Sequence, residues 1–385
     1  MIRYIVSFLV LILAAPLTHA SVSSTQALGD AYAKNAKEVI LLDAVTGDVL
    51  YEKNPDAITH PSSMTKIMTV YLAFERLKSN RISLEDSFPV STKAWKTGGS
   101  RMFVEPNTRV ALPDLLRGVA VQSGNDASIV LAEGLGGTEE NFALEMTEKA
   151  QSLGAKNTFF KNAHGLACSG HRTTVRDLSI IARSLMKNFP LYYPYFSEKS
   201  FTYNKITQPN RNPILNAKGF EPTGLKTGVT DEGGYGLVAT AKKDKSRLVL
   251  VVNGLSSEKE RAVTSEQLLN WGFREFETVT LVQGGTELVK ANTWLGEDPT
   301  VSLVIEKDIK STIEKSKRDQ IKIEAVYNGP IEAPIQAGQV VGTLLIHIPG
   351  RSIQEVPLVA SRKVALVSPF KRILSAINYI IWGHS

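Results

Sequence analysis

Residues 61–77 read PSSMTKIMTVYLAFERL, and the fold prediction starts from this stretch of the 385-residue chain. Pro61 and Ser62 are residue types that often begin a helix. Two sets of apolar residues follow at helical spacing: Met64, Ile67, Met68 and Tyr71 on one face, and Val70, Phe74 and Leu77 on the adjoining face. Because both faces are apolar, we predict a helix that is buried on most sides.

The elements on either side of this helix predict an α+β domain. Upstream, residues 37–53 contain two apolar runs joined by a turn, a pattern typical of a β-hairpin. Downstream, apolar residues recur at helical spacing in three segments, 112–133, 139–153 and 175–186. Strand-like alternation follows at 222–229, 235–243 and 246–254, and a last helical pattern covers about 257–276. This order indicates one domain, residues 21–277, with an antiparallel sheet flanked by helices.

Two smaller parts are predicted after residue 277. Residues 278–362 contain short alternating runs such as 301–305 (VSLVI) with no clear helix between them, so we predict a small all-β domain. Residues 363–385 end in an amphipathic helix with one apolar stripe and a terminal Trp382. Such a helix can lie in an anionic membrane surface, which we expect here. The alternative is a helix that docks onto its own domain or onto a dimer partner.

The first twenty residues have the features of a secretory signal peptide. Arg3 supplies a positive charge, residues 5–15 are almost entirely apolar, and Thr18 and Ala20 stand at positions −3 and −1 of a cleavage site. We predict cleavage after Ala20 and a mature protein that works outside the cytoplasm. An uncleaved N-terminal anchor is the alternative.

Composition excludes several classes of protein. Hydrophobic residues make up 43% of the chain and charged residues 21%, which is ordinary for a globular protein and excludes disorder as the main state. A single cysteine, Cys168, excludes an internal disulfide framework and a multi-thiolate metal site. The net charge of +6 is mild and scattered, so it fits contact with an anionic surface but predicts no nucleic-acid partner.

The sequence lacks most common catalytic motifs but contains three short ones in a meaningful order. It has no H-E-x-x-H, no phosphate-binding or dinucleotide-binding glycine motif and no G-x-S-x-G. It does contain SMTK at 63–66, SGN at 123–125 and KTG at 226–228. Each motif alone is weak, because such strings occur by chance. Together, on the predicted helix, turn and strand, they favour acyl transfer by serine without a metal or cofactor.

The first motif suits nucleophilic catalysis. A serine hydroxyl needs a neighbour that takes its proton, and on a helix Lys66 lies on the same face as Ser63. Burial and a second cation, Lys226, would favour the neutral amine that can act as base. Backbone N–H groups at the helix start would support an oxyanion. The plain alternative is that Ser63 only caps the helix and Lys66 is a solvated helix residue.

The other two motifs suit proton relay and substrate binding. Ser123 could relay a proton to a leaving amine, and the Asn125 amide could bind a substrate amide, although S-G-N can also be a simple turn. Gly228 would leave one face of its strand bare, so a substrate could lie against the strand while Lys226 and Thr227 bind a carboxylate. The alternative for this motif is a bulge glycine beside a surface lysine.

The chain resembles the low-molecular-mass penicillin-binding proteins that act as D-alanyl-D-alanine carboxypeptidases. S-x-x-K with a serine–asparagine motif and K-T-G is the motif set of penicillin-interacting serine enzymes. The resemblance covers nearly the whole mature chain, including the trailing β-domain and the C-terminal helix. Further matching segments are Ala94-Trp95, 112–126, 162–166 (NAHGL), 210–212 (NRN) and 271–273 (WGF).

This resemblance implies a reaction and a location. The family forms an acyl-enzyme on the penultimate D-alanine of a peptidoglycan stem peptide, releases the last D-alanine and hydrolyses the ester. Covalent binding of β-lactam antibiotics is implied as well. The implied location is the periplasmic face of the cytoplasmic membrane, with peripheral attachment.

The resemblance also implies a role for each matching residue. Ser63 is the nucleophile, Lys66 its proton acceptor and Ser123 the serine of the second motif. The expected substrate-binding residues are Asn125, Lys226, Thr227, Gly228, Val229 and Arg261. Among them, Val229 and Ser63 would supply oxyanion N–H groups, and Arg261 would be linked to the substrate carboxylate. Relatives often have His where this chain has Val229, which leaves only a backbone role there. His164 is expected to be structural.

Three other functions remain open at this point. A secreted β-lactamase is the nearest, but its expected E-x-x-L-N string lies at 266–270, after Lys226 and so in the wrong order. Nothing in the surroundings of Glu133, Glu139 or Glu140 marks a deacylating base. A non-catalytic penicillin-binding sensor is disfavoured because all three motifs are intact. An endopeptidase that cuts peptide cross-links would use the same chemistry, and the sequence does not separate it from a carboxypeptidase.

Overall fold

The structure, a computed structural model, describes residues 2–9, 25–231, 233–370 and 373. The chain divides into two units, Ser21–Glu275 and a second unit that contains Phe276–Ser385 together with the N-terminal segment. The first described segment, β1 (Ile2–Leu9), pairs antiparallel with a strand of that second unit. Cleavage after Ala20 stays a prediction.

The unit Ser21–Glu275 contains a five-stranded antiparallel sheet. Its strands are β2 (Glu38–Asp43), β3 (Val49–Lys53), β8 (Glu221–Thr230), β9 (Gly234–Lys243) and β10 (Ser246–Leu255). They are arranged in the order β3-β2-β10-β9-β8. Two small sheets also occur: β4 (Ser87–Pro89) with β5 (Arg109–Ala111), and β6 (Ser200–Tyr203) with β7 (Ile206–Pro209). Among the described strands, β8 has a neighbour on one side only, so its other edge is open.

Helices surround this sheet. They are α1 (Thr25–Tyr32), α2 (Lys66–Lys78), α3 (Thr92–Lys96), α4 (Leu112–Ala120), α5 (Asn125–Gly136), α6 (Glu139–Ser152), α7 (Val175–Asn188) and α8 (Glu258–Glu275). Thr138 and Thr174 cap α6 and α7 through hydroxyls that accept a backbone N–H. The predicted α+β class is therefore confirmed.

The helix quoted from the sequence is buried as expected. From Lys66 to Phe74 every residue of α2 is buried, and the helix packs within one continuous apolar core. The helix starts with a 3-10 turn, Ser62–Thr65, which leads directly into α2. The sequence predicted one helical segment at 112–133, but the structure has two helices there, α4 and α5. The chain turns between them, where Ser123 has a left-handed φ of 61°. That turn places the second motif at the start of α5.

In its described part the second unit consists mainly of β-strands, with a short 3-10 helix at Lys315–Gln320 and helical residues at 369, 370 and 373. Its strands are β11 (Phe276–Val282), β12 (Val289–Trp294), β13 (Thr300–Val304), β14 (Ile309–Glu314), β15 (Lys322–Gly329), β16 (Ile331–Glu332), β17 (Val340–His347) and β18 (Gln354–Ala360). One sheet has the order β1-β15-β17-β18-β13-β12-β16, and β11 pairs with β14. The unit has an apolar core of its own, from Leu281 to Val364.

The predicted C-terminal amphipathic helix lies mostly outside the described residues. Of its apolar stripe, Phe370 and Ile373 are described, and both side chains are exposed. Within the residues that the structure describes, no helix combines the length and apolar character needed to cross a bilayer.

Candidate active site

Ser63 and Lys66 meet at the start of α2. Ser63 lies in the 3-10 turn Ser62–Thr65, and Lys66 is the first residue of the α-helix. The Lys66 Nζ is 3.1 Å from the Ser63 Oγ. The two side chains that the sequence places on one helix face are thus within hydrogen-bond distance.

The partners of Lys66 determine how the amine can act. Its Nζ donates to the Asn125 Oδ1 at 2.7 Å and to the backbone carbonyl of His164 at 2.5 Å. Both of these oxygens can only accept hydrogen bonds. A neutral amine has two hydrogens and one lone pair, so when both hydrogens are directed to these oxygens the lone pair faces the Ser63 hydroxyl. This arrangement suits removal of the serine proton.

The surroundings of Lys66 favour that neutral state. Its side chain is fully buried, and this burial is the main cause that lowers the pKa of Lys66 well below its ordinary value. The positive charges of Lys226 and Arg211 lower this pKa further, while Asp126 acts in the opposite direction. Arg211 belongs to the N-R-N segment noted in the sequence, but the sequence predicted no role for it.

Asn125 positions Lys66, a role that the sequence did not predict. Its Nδ2 donates to the backbone carbonyl of Gly98 at 2.7 Å, and this bond fixes the orientation of the amide. One hydrogen of the amide remains for a substrate. Asp126, the next residue, accepts N–H bonds from Met102, Phe103 and Val104, and so ties the preceding loop to α5.

Ser123 is buried in the turn between α4 and α5, close to Asn125 along the chain. The turn is held by an N–H bond from Gly124 to the carbonyl of Gly118 at 2.8 Å. The left-handed φ of Ser123 is unusual for a residue with a side chain and is the kind of strain found at functional sites.

The third motif lies in the edge strand β8, as predicted. Lys226 and Thr227 are both buried, and the Lys226 Nζ donates to the Thr227 carbonyl at 3.3 Å. Burial lowers the pKa of Lys226 to about 7, with further contributions from the charges of Arg211 and Arg261. An arriving carboxylate would reverse this shift, because it favours the charged amine.

The reason for a glycine at position 228 differs from the one expected. A Cβ on Gly228 would overlap the Ser62 Oγ and would lie 3.1 Å from the Met64 side chain. The bare face of Gly228 is therefore filled by the turn that carries the nucleophile, and the expectation that this face is kept open for substrate was wrong. Gly228 allows the edge strand to approach Ser63 closely.

The two remaining predicted binding residues have different environments. The Val229 side chain is 53% exposed, which is compatible with the backbone role expected of it. The Arg261 side chain is buried on α8, over the ring of Tyr235. Within the described part of the chain, its Nε has no hydrogen-bond partner. The charge of Arg261, like that of Arg211, lowers the pKa of Lys226, and we call these three residues the cationic side of the site.

The loop of residues 159–172 completes the site. Its segment 162–166 was noted in the sequence, but its contacts with the catalytic residues were not predicted. It supplies the His164 carbonyl to Lys66, and Gly165, at a φ of 90°, comes so close that a Cβ would overlap the Ser62 carbonyl. The His164 ring accepts from the Leu166 N–H and faces Glu139 at 3.3 Å, a structural environment. Burial lowers the pKa of His164 to about 4. Cys168 is an exposed thiol of the same loop.

Glu139 supports this loop from behind. Its carboxylate accepts the Ala163 N–H at 3.0 Å and pairs with Lys93 at 2.9 Å. The Glu139 carboxylate is thus bound by groups of the protein, and these contacts do not support a role as the base that activates a deacylating water.

Comparisons with known proteins find relatives over most of the chain. A family model described as D-alanyl-D-alanine carboxypeptidase matches residues 23–257, and one described as penicillin-binding protein 5, C-terminal domain, matches residues 276–366. The D-alanyl-D-alanine carboxypeptidase DacC of Escherichia coli (strain K12) is 39% identical over 337 residues, which are 86% of this chain and 84% of that protein.

Solved structures are similar as well. Penicillin binding protein 5 from Haemophilus influenzae has a TM-score of 0.78 at 37% identity and covers 86% of this chain and 98% of that chain. Penicillin-binding protein D2 from Listeria monocytogenes, in a cefotaxime-bound form, has a TM-score of 0.57 at 27% identity and covers 62% of this chain and 97% of that chain.

Proposed function

The chain belongs to the D-alanyl-D-alanine carboxypeptidase family, and we propose that it releases the terminal D-alanine from peptidoglycan stem peptides through an acyl-enzyme on Ser63. The observation that carries this assignment of the nucleophile is the set of contacts made by the Lys66 Nζ. Two acceptor-only oxygens take its hydrogens, and the Ser63 Oγ lies 3.1 Å away.

In the acylation half, Lys66 takes the proton of Ser63 as the Oγ attacks the carbonyl carbon of the penultimate D-alanine. The backbone N–H groups of Ser63 and Val229 stabilise the oxyanion. The C–N bond then breaks, and the proton held by Lys66 passes through Ser123 to the leaving amine. D-Alanine departs and an ester on Ser63 remains.

In the deacylation half, water replaces the amine. Lys66, neutral again, takes a proton from the water as its oxygen attacks the ester carbonyl. The C–O bond to Ser63 breaks as Lys66 returns its proton to the Ser63 Oγ, and the shortened peptide leaves as a carboxylic acid. A β-lactam follows the same first half, but its amine stays tethered to the acyl group.

The substrate lies along the open edge of β8 in this proposal. A peptide added there would find backbone partners in the strand, and its terminal carboxylate would be near the cationic side of the site. Lys226 and Thr227 bind that carboxylate, and the charges of Arg211 and Arg261 support the binding. The remaining hydrogen of the Asn125 amide is available for the substrate amide.

The test is D-alanine release from an acylated tripeptide that ends in D-Ala-D-Ala, with residues 21–385 as the enzyme. Release should disappear in Ser63→Ala, while Ser62→Ala, which removes the neighbouring hydroxyl, should retain most of it. A folded wild-type protein that releases no D-alanine from this peptide but cleaves a cross-linked dimer would favour the endopeptidase. Release that survives in Ser63→Ala would contradict the assigned nucleophile.

We also propose that the protein is exported and held at the periplasmic face of the cytoplasmic membrane. The support is the signal-like segment 1–20, the amphipathic pattern of 363–385 and the exposure of Phe370 and Ile373. Full-length mature protein should co-sediment with anionic vesicles, and deletion of 368–385 should abolish this. Unchanged co-sedimentation of the truncated protein would refute the anchor.

A further inference from the structure

The loop 159–172 makes three contacts with the turn that carries the nucleophile and with the first residue of α2. Gly165 packs on the Ser62 carbonyl, and the His164 carbonyl accepts from Lys66. The third contact is made by a side chain: the His171 Nε2 is 2.8 Å from the Thr65 Oγ1. Thr65 immediately precedes Lys66 and is two residues from Ser63, so this contact reaches the catalytic pair through the backbone.

The hydrogen bonds of His171 fix its tautomer. The backbone N–H of Lys161 donates to the His171 Nδ1 at 3.0 Å. A backbone N–H can only donate, so Nδ1 carries no proton and the proton of the neutral ring is on Nε2. The Nε2–H therefore donates to the Thr65 hydroxyl. The ring connects the backbone of the loop to the side chain of Thr65.

The packing of His171 supports a rigid, uncharged connection. His171 and Thr65 are almost completely buried, and the edge of the Phe160 ring lies against the imidazole. Burial lowers the pKa of His171 to about 3. The charged and titratable groups around it, His60, His164, Lys161 and Lys66, all act in the same direction.

We infer that His171 is a positioning residue for acyl transfer, which acts through Thr65 to hold Ser63 and Lys66 at bonding distance in a dry site. This inference rests on the proposed function of Ser63 and Lys66. A shift of the turn would separate the Ser63 Oγ from the Lys66 Nζ and would let water reach the amine. Misplacement of reacting groups by about 1 Å can cost about 100-fold in rate.

Water at Lys66 has a measurable consequence. Its low pKa depends first on burial and then on the charges of Lys226 and Arg211, against Asp126. When burial is lost, the pKa of Lys66 rises toward its ordinary value. Because the neutral amine is the base, the acid limb of the pH profile of the acylation rate constant must then move to higher pH.

The experiment compares variants of residues 21–385 in acylation by a fluorescent penicillin. The non-covalent dissociation constant and the acylation rate constant are measured separately across pH. Thr65→Val keeps the shape of the side chain but removes the acceptor. His171→Asn keeps an acceptor near Nδ1 but loses the donor to Thr65. Both should lower the acylation rate constant by about 100-fold, leave the dissociation constant within about threefold, and move the acid limb to higher pH.

Two further variants are the controls. His171→Gln places an amide N–H near the position of Nε2, and Thr65→Ser keeps the hydroxyl, so both should stay within about tenfold of wild type. The double variant Thr65→Val, His171→Asn should be no slower than the slower single variant, because both changes break one connection. If His171→Asn does not fold, Thr65→Val and Thr65→Ser still decide the question.

Two results would overturn the inference. One is a Thr65→Val variant whose acylation rate constant and pH–rate profile are the same as those of the wild-type protein. The other is an equal fall of the acylation rate constant in Thr65→Val and Thr65→Ser, since the hydroxyl that Thr65→Ser keeps would then be irrelevant. Absence of acylation in the wild-type protein, or acylation that persists in Ser63→Ala, would instead count against the proposed function.

Discussion

Lys66 and Lys226 are two buried amines that must be in different protonation states during the reaction. Lys66 has to be neutral to take a proton, and its pKa is lowered by burial and by its cationic neighbours. Lys226 has to be charged to bind a carboxylate, yet burial lowers its pKa to about 7. The substrate itself resolves this conflict, because its carboxylate favours the charged form of Lys226.

Lys226 should take up a proton when the substrate carboxylate binds. Above pH 7 the free enzyme holds Lys226 mostly neutral, and binding of a carboxylate raises its pKa again. We expect Ser63→Ala to take up about one proton per D-Ala-D-Ala peptide bound at pH 8 and almost none at pH 6. Titration calorimetry in buffers of different ionisation enthalpy measures this uptake.

The matched control is Ser63→Ala combined with Lys226→Arg. Arginine remains charged at both pH values, so binding should persist while the uptake at pH 8 disappears. Equal uptake in both proteins would mean that another group takes the proton, and Lys226 would lose its assigned role.

At the scale of the element, the edge strand β8 and the nucleophile turn approach each other more closely than side chains normally permit. Gly228 faces the Ser62 hydroxyl, and Gly236 on β9 has no room for a Cβ beside Met64 and Asn253. On the opposite side, Gly165 brings the loop 159–172 against Ser62. Three glycines from three segments thus let the backbone surround the turn.

Gly228→Ala is therefore expected to disturb the site although the change is small. The added methyl group overlaps the Ser62 Oγ, and overpacking of this kind costs about 1–3 kcal/mol of the free energy of unfolding. D-Alanine release should fall by about 100-fold, because the turn must shift. Thermal unfolding and peptide turnover of the variant check both statements.

Removing the overlapping atom should restore the enzyme. In Ser62→Ala, Gly228→Ala the hydroxyl is gone, so most of the activity is expected to return. Gly98→Ala adds a methyl group that meets no atom within 4 Å and keeps the backbone carbonyl that binds Asn125, so it serves as the control for the substitution itself. Failure of Ser62→Ala to rescue would indicate that the methyl group blocks the substrate instead.

At the scale of the molecule, all assigned site residues belong to the unit Ser21–Glu275. This unit has its own apolar core, and the β-rich unit has another. A domain with its own core can fold alone. The β-rich unit would then serve as a stalk or as a surface for partners rather than as part of the catalytic machinery.

A truncated protein of residues 21–277 tests this division. It should fold and release D-alanine from a short soluble peptide within about twofold of the rate of 21–385, since no assigned residue is removed. Circular dichroism establishes folding and the peptide assay measures the rate. A truncated protein that folds but is inactive would show that the β-rich unit contributes to catalysis.

Much of the architecture was predictable because periodicity reports which face of an element is buried. The hairpin at 37–53, the buried helix from Lys66, the strands around Lys226 and the all-β character after residue 277 all follow from apolar residues at a spacing of two or of three to four. The break between α4 and α5 was not predicted, because apolar residues continue on both sides of the turn. The pairing of Ser63 with Lys66 was predictable for the same local reason, since residues three apart share a helix face.

The sequence alone therefore determined the class of fold, the three motifs and their chemistry, all of which depend on residues close together in the chain. Only the tertiary structure decided which distant groups face them. Asn125 and the His164 carbonyl direct the lone pair of Lys66, Gly228 makes room for Ser62, and His171 reaches Thr65 from 106 residues away. These contacts depend on how separate segments pack, and packing over such sequence distances leaves no periodic trace in the chain.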